Sequence, residues 1–487
     1  MEPRSLGQQP ASSLSSAPRP LYPPGVTYRR YHEAVDYLER RLWHELPIVP
    51  VERALQGRIT HVLAHLGDPH LRFPVVHVAG SAGKGSTSAI TASVLRAAGV
   101  RTGLYTSPHL QTFIERIDVD GLLIAPDAFA DTVLGLDPLV RQMHMEVLDG
   151  KGFGRPSLVE VAFAAGMQHF AVARCAAAVV EAGLGGRTDY SNVFAEKTAT
   201  VITNVDFEHR ERLGWSIPSI AREKAALIRG GETVITATSR REARDVIAAR
   251  CAETGAPLWR LGHEVRVRVA KADAHGSTLA ITTPLGAHEK LRLPLAGAHQ
   301  ADNAALGVAA ALAHGAAAGV AMDTAVVREG LGSVRINGRL EQVQDRPRVL
   351  LDSAHNPVEA RRLAEALRAH WLRDGVRLHM VAGILADKDQ PAMVRAFASV
   401  ADRIVLTQPP LGERIGDPGR MLAGFRRALG AANVTFEPDS ERALDLALDA
   451  ARARDIVCVA GSMFLVGALR ARWVPEAQIL RKRTARL

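Results

Sequence analysis

The sequence predicts an α/β protein built around two parallel sheets, and three observations lead to that fold class. Apolar runs typical of buried strands alternate with helix-like segments along almost the whole chain. A glycine-rich turn follows the first clear strand. A polar, glycine-containing stretch, 332–338, interrupts the alternation, which then begins again. We therefore predict a large first domain, 27–332, and a smaller second α/β domain, 338–487.

Length and composition are those of an ordinary globular protein. The 487 residues are 47% hydrophobic and 23% charged, which suits two or three domains with sizeable cores. No apolar run approaches the ~18 residues that span a membrane. Residues 1–26 are rich in Pro and Ser and lack an apolar signal core, so we expect a disordered tail. Three widely spaced cysteines favour a reducing, cytoplasmic location.

The net charge of +9 suits anionic partners such as nucleotides or polycarboxylates. Basic residues are spread along the chain, and the one cluster, 481–483, is a short tail typical of a solvated end. We therefore predict small-molecule ligands rather than nucleic acid or a membrane. No sequence feature demands an oligomer, so we expect a monomer.

Polar residues follow the predicted strands of the first domain. The apolar run 178–180 leads into Glu181, and 201–202 leads into Thr203 and Asn204. Because ligand sites in parallel sheets form at the carboxyl ends of strands, these polar residues are candidate site residues. Further along, strict alternation over 264–269 places Val265, Val267 and Val269 on one face and predicts a small antiparallel insertion. An Ala-rich helix is expected from His299 to about Gly319.

The glycine-rich turn reads GSAGKGS from Gly80 and lies between a predicted strand, 75–78, and a predicted helix. Its small residues allow backbone N–H groups to approach phosphate oxygens, and the helix N-terminus adds favourable partial charge. Lys84 would neutralise phosphate charge and Ser86 could reach a magnesium ion. Gly83 and Gly85 complete the predicted phosphate-binding loop, although Gly85 separates Lys84 from Ser86, unlike a standard P-loop.

The second domain repeats the strand–helix pattern. The strand 349–351 leads into Asp352, and Pro357 is placed where a helix can begin. Ala360, Leu363 and Leu367 share one face of that helix. Further strands are expected at 380–382, 404–406 and 456–459.

Nine sequence blocks follow one another in a fixed order between Tyr31 and Arg470. They are VVHVAGSAGKGST from Val75, LYTSPHLQTFIERI from Leu104, EAGLGGRTDYSNV from Glu181, the segment 203–228 containing AREKAALI, GAHQADNAA from Gly297, GRLE from Gly338, LLDSAHNP from Leu350, LADKD from Leu385 and AGSMFLVG from Ala460. Together they resemble the folylpolyglutamate/dihydrofolate synthase branch of the Mur ligase superfamily. That resemblance implies an ATP-binding domain followed by a smaller Rossmann-like domain.

The implied activity is ATP-dependent amide formation between a folate-type carboxylate and L-glutamate, and some relatives also use dihydropteroate. A carboxylate has a poor leaving group, so ATP would first convert it into an acyl phosphate, with ADP and phosphate as products. Magnesium suits this reaction because it binds a few protein oxygens together with substrate phosphates. The enzyme's main tasks would be positioning and charge neutralisation.

The resemblance also implies roles for individual residues. Ser107, Glu181 and His209 would bind magnesium, and Asn303, Arg339 and Asp352 would contact ATP together with Gly83, Lys84, Gly85 and Ser86. Lys84, Lys224 and His355 would be catalytic, with Lys224 a candidate N6-carboxylysine and His355 a candidate contact for glutamate. Asp189 and Tyr190 would lie near the pterin-bearing substrate.

The chain departs from the family pattern in four places. Ser81 and Ala82 replace Thr and Asn, Glu208 replaces Asp, Ile114 replaces Asn, and Tyr190 replaces a small residue. The identity of the acceptor therefore stays open, including the choice between dihydrofolate synthase, folylpolyglutamate synthase and both. The alternatives are a Mur-type ligase for a non-folate carboxylate and a nucleotide-binding homologue without ligase activity.

Overall fold

The computed structural model describes residues 28–45, 54–149, 151–410 and 417–484. The predicted tail, 1–26, lies outside the described residues. Within the described ranges, no helix is both long and apolar enough to cross a lipid bilayer. The division into domains at 332–338 stays a prediction, whereas the two separate α/β sheets are a feature of the structure.

Eight strands form the first sheet. They are β1 (Val75–Ala79), β2 (Thr102–Tyr105), β3 (Ile117–Val119), β4 (Leu122–Leu123), β5 (Ala177–Glu181), β6 (Ala199–Ile202), β7 (Thr233–Thr236) and β8 (Leu258–Arg260). Their order is β4-β3-β2-β5-β1-β6-β7-β8, with the short β3 and β4 antiparallel at one edge. The buried apolar runs predicted from the sequence become the central strands.

Within the described ranges, eleven α-helices, besides a π-helix at Tyr37–Glu45, precede the second sheet. They are α1 (Arg29–Asp36), α2 (Ala54–His65), α3 (Lys84–Ala97), α4 (Pro126–Gly135), α5 (Asp137–Leu148), α6 (Leu158–Val172), α7 (Arg210–Leu213), α8 (Ile217–Ala225), α9 (Arg241–Thr254), α10 (His299–Ala318) and α11 (Thr324–Gly332). The Ala-rich α10 ends at Gly319, as the sequence predicts.

Small residues bring α10 and α11 close to α3. A Cβ atom on Gly307 would overlap Ile90, and one on Gly330 would overlap the backbone of Val94. Only glycine therefore permits this separation at the two crossing points. The packing fixes the axis of α3, the helix that begins at Lys84 in the glycine-rich turn.

The central strands align the polar residues singled out in the sequence. In the parallel register, Val78 of β1 is paired with Glu181 of β5, and Ala79 is paired with Ile202 of β6. The glycine-rich turn, Glu181 and Thr203 consequently lie at the same edge of the sheet. This confirms that the polar strand ends of the first domain meet.

The predicted antiparallel insertion consists of β9 (Arg266–Asp273), β10 (Gly276–Thr283) and β11 (Gly286–Leu293). The third strand was not predicted, because its exposed residues leave little apolar pattern. Val265 is buried in the core, but Val269 is 46% exposed. Burial therefore decreases along the three valines that were expected on one face.

The second sheet has the order β12-β13-β17-β14-β15-β16, with only the edge strand β12 antiparallel. Its strands are β12 (Glu341–Asp345), β13 (Arg348–Leu351), β14 (Leu378–Ala382), β15 (Arg403–Leu406), β16 (Val434–Phe436) and β17 (Ile456–Ala460). Its helices are α12 (Pro357–His370), α13 (Gln390–Ala398), α14 (Pro418–Leu429), α15 (Ser440–Ala450) and α16 (Met463–Arg470). The last helix, α17 (Glu476–Lys482), buries Ile479 and Leu480 in the core beside the first sheet. The predicted α/β class is confirmed.

Candidate active site between the two sheets

The glycine-rich turn joins β1 to α3 and forms the centre of the site. Gly83 has φ +84°, in the left-handed region, and a Cβ there would overlap the side-chain oxygen of Asn303. Lys84 is the first residue of α3, and its Nζ donates to the Gly80 carbonyl over 3.0 Å. The backbone of the turn and the lysine thus surround one small region at the helix N-terminus, as phosphate binding requires.

The end of β6 holds the turn in place. The Ala82 N–H donates to Asn204 Oδ1 over 2.8 Å, and Thr203 Oγ1 donates to the Ala82 carbonyl over 2.7 Å. The Ser81 hydroxyl donates to the Asp206 carbonyl and accepts from the Asp206 N–H. Because Ala82 uses only its backbone in these contacts, the departure from the family's usual Asn leaves the turn intact.

Glu181 and Ser107, two predicted metal ligands, are in contact. The Ser107 N–H donates to Glu181 Oε2 over 3.2 Å. Burial raises the pKa of Glu181 to about 7, although the Lys84 charge acts in the opposite direction. No basic side chain in the described part of the chain forms an ion pair with this carboxylate. It is a buried acid whose ionised form lacks a direct counter-ion.

His209, the third predicted metal ligand, has a different environment. It precedes α7, is exposed, and has φ +38°. Its side chain makes no hydrogen bond or ion pair with the residues that the structure describes, and among these no three His, Cys, Asp or Glu side chains form a metal-binding group. The structure joins Ser107 to Glu181 but does not join His209 to them.

Lys224 is buried rather than an exposed helical lysine. It lies in α8 with a relative exposure of 1%, and its Nζ lies 2.5 Å from Glu208 Oε1. Burial lowers the pKa of Lys224, while the Glu208 charge opposes that change. Burial would raise the pKa of Glu208, but the Lys224 and Lys84 charges outweigh it and the pKa is lowered. The two groups lie within ion-pair distance, and each supplies a counter-charge for the other.

The loop after β5 is held by Asp189. Its carboxylate accepts hydrogen bonds from the Leu184 N–H over 2.6 Å, from the Ser191 N–H over 2.9 Å and from the Ser191 hydroxyl. The Ser191 Oγ also lies 2.8 Å from His77 Nε2 of β1. Asp189 is only 4% exposed and is surrounded by these donors, so it fixes the loop rather than facing open space.

Tyr190, the next residue, faces the Ser107 side of the site. Its hydroxyl lies 3.2 Å from Ser107 Oγ, and its ring packs against Phe163 with centroids 5.2 Å apart. A Cβ on Gly183 would overlap the Tyr190 ring. In contrast, Ile114 is completely buried in the hydrophobic core. Of these two departures from the family pattern, only Tyr190 touches a candidate site residue.

Asp352 and His355 follow β13 in the second sheet. The two Asp352 oxygens accept from the N–H groups of Leu340 and Ala354, each over 2.9 Å, and burial raises its pKa to about 6. His355 Nδ1 lies 3.0 Å from the Ser353 carbonyl and 3.1 Å from Glu359 Oε2. Burial would raise the pKa of Glu359, but the charges of His355 and Arg339 and the hydrogen bond from the His355 N–H together outweigh it, and the pKa falls to about 2.

A narrow cleft lies between the two sheets and is lined by residues from both parts of the chain. Its lining includes the predicted residues Gly83, Ser86, Asn303, Arg339 and Asp352, together with His299, Gln300, Glu359 and Arg362, which were not predicted. His299 and Gln300 belong to the GAHQADNAA block, and Glu359 lies one helical turn beyond His355. Membership of that block and nearness to His355 were the sequence signals that pointed to these three residues.

A second cleft of about 220 Å³ adjoins the first. It is lined by Gly85, Ser86, Ser107 and Glu181 on one side and by Arg335 and Arg339 on the other. Ser86 and Arg339 line both clefts. The arrangement places a phosphate-binding turn between two adjoining spaces, which suits transfer between a nucleotide and a second substrate.

Comparison with known proteins agrees with this geometry. Residues 156–311 match the Mur ligase middle domain, and residues 338–463 match the Mur ligase glutamate ligase domain. The fold and the site therefore define an ATP-dependent ligase of the Mur type. The Mycobacterium tuberculosis dihydrofolate synthase/folylpolyglutamate synthase is 34% identical over 90% of this chain and 92% of its own length. The chain belongs to the folylpolyglutamate synthase/dihydrofolate synthase family.

Solved structures show the same likeness. Mycobacterium tuberculosis folylpolyglutamate synthase in complex with ADP has a TM-score of 0.82 and 30% identity, covering 91% of this chain and 99% of that one. An Escherichia coli structure in complex with DHPP and ADP has a TM-score of 0.75 and 30% identity, covering 91% and 97%. The chain spans 48% of a Halobacterium salinarum relative named a probable bifunctional folylpolyglutamate synthase/dihydropteroate synthase, with 37% identity over 85% of this chain.

Proposed function

We propose that this enzyme joins L-glutamate to the carboxylate of a folate-type acceptor, as a cytoplasmic monomer that uses ATP and Mg²⁺. Tetrahydrofolate and its glutamylated forms are the proposed acceptors, with dihydropteroate as a second acceptor. The observation that carries the proposal is the meeting of Gly83 and Ser86, from the glycine-rich turn and α3, with Arg339 and Asp352, from beside the second sheet, around adjoining clefts.

ATP would bind in the narrow cleft. The N-terminus of α3, Lys84 and Arg339 supply positive charge for the phosphates. Asn303 and Asp352 supply polar groups for the nucleoside. The acceptor carboxylate would lie in the second cleft, close to the terminal phosphate, because Ser86 and Arg339 line both spaces. Attack by this carboxylate on the terminal phosphorus of ATP releases ADP and gives an acyl phosphate. The amine of glutamate then attacks the acyl carbon, and phosphate leaves as the amide forms.

The residues around Glu181 fit a magnesium ion. Carboxylate and hydroxyl oxygens are the hard ligands that Mg²⁺ prefers. Glu181 supplies a buried carboxylate without an ion-pair partner, and Ser107 and Ser86 add hydroxyl groups beside the same cleft. A bound ion would neutralise phosphate charge and hold Glu181 in its ionised form. His209 remains a proposed ligand, supported by the family resemblance alone.

Lys224 and His355, which line neither cleft, are proposed to assist the reaction. Lys224 already has a counter-ion in Glu208, so its ammonium form is satisfied in this structure. Its carbamylation stays a proposal, which the intact mass of protein purified with bicarbonate tests directly. His355 is held by Ser353 and Glu359 and is proposed to contact the incoming glutamate.

The test is an ADP-release assay with ATP, Mg²⁺ and glutamate. Tetrahydrofolate, dihydropteroate or no acceptor is added, and the products are weighed by mass spectrometry. We expect ADP formation only with an acceptor, together with one glutamate added to it, and no product from Lys84→Ala. Nucleotide binding without product for either acceptor would instead support a non-folate acceptor or a homologue without ligase activity.

A further inference from the structure

A buried arginine joins the two domains behind the site. Arg470, the last residue of α16, is completely buried. Its Nε and Nη2 donate to both carboxylate oxygens of Glu341 over 2.7 to 3.1 Å, and its Nη1 donates to Gln111 Oε1 over 2.5 Å. A buried guanidinium requires this degree of pairing, because an unpaired charge in the interior is strongly destabilising.

Glu341 connects Arg470 to the backbone turn that carries Arg339. Glu341 Oε2 accepts from the Gly338 N–H over 2.8 Å, and Asp352 accepts from the Leu340 N–H over 2.9 Å. Gly338 and Leu340 both have positive φ, +64° and +47°. The backbone on each side of Arg339 is therefore fixed in a conformation that favours glycine, and a hydrogen bond holds each flanking N–H group.

Gln111 connects Arg470 to the loop that carries Ser107. Gln111 donates through Nε2 to the Val474 carbonyl over 2.9 Å, and its N–H donates to Glu115 over 2.9 Å. A Cβ on Gly467 of α16 would overlap the Leu110 carbonyl oxygen. The loop after β2 is thus packed directly against the helix that ends in Arg470.

The Arg339 side chain has no comparable support of its own. It forms no salt bridge with a side chain in the described ranges, although its charge opposes the raised pKa of both Glu181 and Asp352. Its position consequently depends on the backbone turn to which it is attached. The distance between this backbone turn and the Ser107 loop depends on the groups that join them.

We propose that Arg470 is a positioning residue that acts through Arg339: by binding Glu341 and Gln111 at once, it sets the Arg339 turn against the Ser107 loop. This inference rests on the proposed role of Arg339 as a nucleotide contact. Arg470 is not among the residues that line either cleft. Its effect on catalysis is expected because small displacements of a charged group in a site are costly, about 100-fold in rate for 1 Å.

The test is a double-mutant cycle on nucleotide affinity, with the non-hydrolysable ATP analogue AMPPCP as the probe. Arg470→Lys keeps a positive charge but removes the forked contact with Glu341 and Gln111. We expect it to weaken AMPPCP binding about tenfold in the native background and less than about twofold in an Arg339→Ala background, because only coupled residues show such non-additivity. Equal losses in both backgrounds, or no loss in either, would overturn the inference.

Two further variants separate positioning from folding and from the proposed function. Gln111→Ala removes the contact with Gln111 and keeps the Arg470–Glu341 pair. A smaller loss of affinity, again absent in the Arg339→Ala background, is therefore expected even if Arg470→Lys folds poorly. Arg472→Ala is the matched control, since Arg472 pairs with Asp445 at the surface over 2.6 Å. It should bind AMPPCP like the native protein. If Arg339→Ala alone leaves affinity unchanged, the nucleotide role of Arg339 is wrong, and the coupling falls with it.

Discussion

The ammonium group of Lys224 lies 2.5 Å from the carboxylate of Glu208, and the lysine side chain is almost completely buried. Glu208 stands where the family usually has Asp, and the longer side chain reaches the buried lysine. The sequence difference and the ion pair are thus two aspects of one local arrangement.

Removing the charge of Glu208 should destabilise the protein. Glu208→Gln leaves a buried ammonium group without a counter-ion, and we expect a loss of about 2–3 kcal/mol in the free energy of unfolding. Urea denaturation measures it. Glu208→Asp restores the charge on a shorter side chain and should recover part of the loss. Glu211→Gln, at an exposed position of α7, should change stability by less than about 0.5 kcal/mol. A Glu208→Gln protein as stable as the Glu211→Gln control would show that Lys224 is not an ammonium ion paired with Glu208.

Gly83 should be required for nucleotide binding as well as for folding. Gly83→Ala adds backbone strain at φ +84° and pushes against Asn303. Gly99→Ala is a matched control just beyond the other end of α3, where φ is +75° and a Cβ meets no atom within 4 Å. Each substitution should cost about 1–2 kcal/mol in stability. Only Gly83→Ala should weaken ADP binding, measured by calorimetry, by tenfold or more. Similar affinities in the two variants would contradict the placement of the nucleotide.

Asp352 should give a pH-dependent stability difference. Burial raises its pKa to about 6 in the folded protein, against an unfolded value of about 3.9. The folded state therefore binds more protons between these values, and the native protein loses stability as pH rises through this window. The stability of Asp352→Asn relative to the native protein should rise by roughly 2–3 kcal/mol from pH 4 to pH 6 and stay level above pH 7. A difference that is constant across this range, measured by urea denaturation, would rule out the raised pKa.

Tyr190 should influence the choice of acceptor. Its ring lies against Phe163 and its hydroxyl against Ser107, so Tyr190→Ala opens space beside the Ser107 loop. We expect the ratio of kcat/KM for dihydropteroate over tetrahydrofolate to change about tenfold, equivalent to about 1.4 kcal/mol. Tyr190→Phe removes only the hydroxyl and should leave the ratio within about twofold. Unchanged selectivity in both variants would exclude Tyr190 as a specificity residue.

Periodicity and turn chemistry predicted the parts of the fold that are determined by residues close to one another in the sequence. The buried strands around Glu181 and Asp352, the start of α3 at Lys84 and the end of α10 near Gly319 all follow from local patterns. The third strand of the insertion, β11, does not follow from a local pattern, because few of its side chains are buried. The valines expected on one face differ in burial, which decreases from Val265 to Val269.

Long-range pairing explains what the sequence could not predict in the site. Arg470 is 129 residues from Glu341 and 359 residues from Gln111, so no local pattern marks its burial. Glu208 and Lys224 are 16 residues apart, and only the fold joins them. The family resemblance supplied roles for Ser107 and Asn303, whereas their contacts with Glu181 and Gly83 required the structure.

The most direct test of the central claim is the stoichiometry of ADP to glutamylated product. Purified protein is incubated with ATP, Mg²⁺, glutamate and tetrahydrofolate, and both products are quantified from the same samples. Coupled ligation predicts one ADP for each glutamate added, with both products absent from Lys84→Ala. ADP formed without any glutamylated product, or equal product from the Lys84→Ala variant, would contradict ATP-driven ligation at this site.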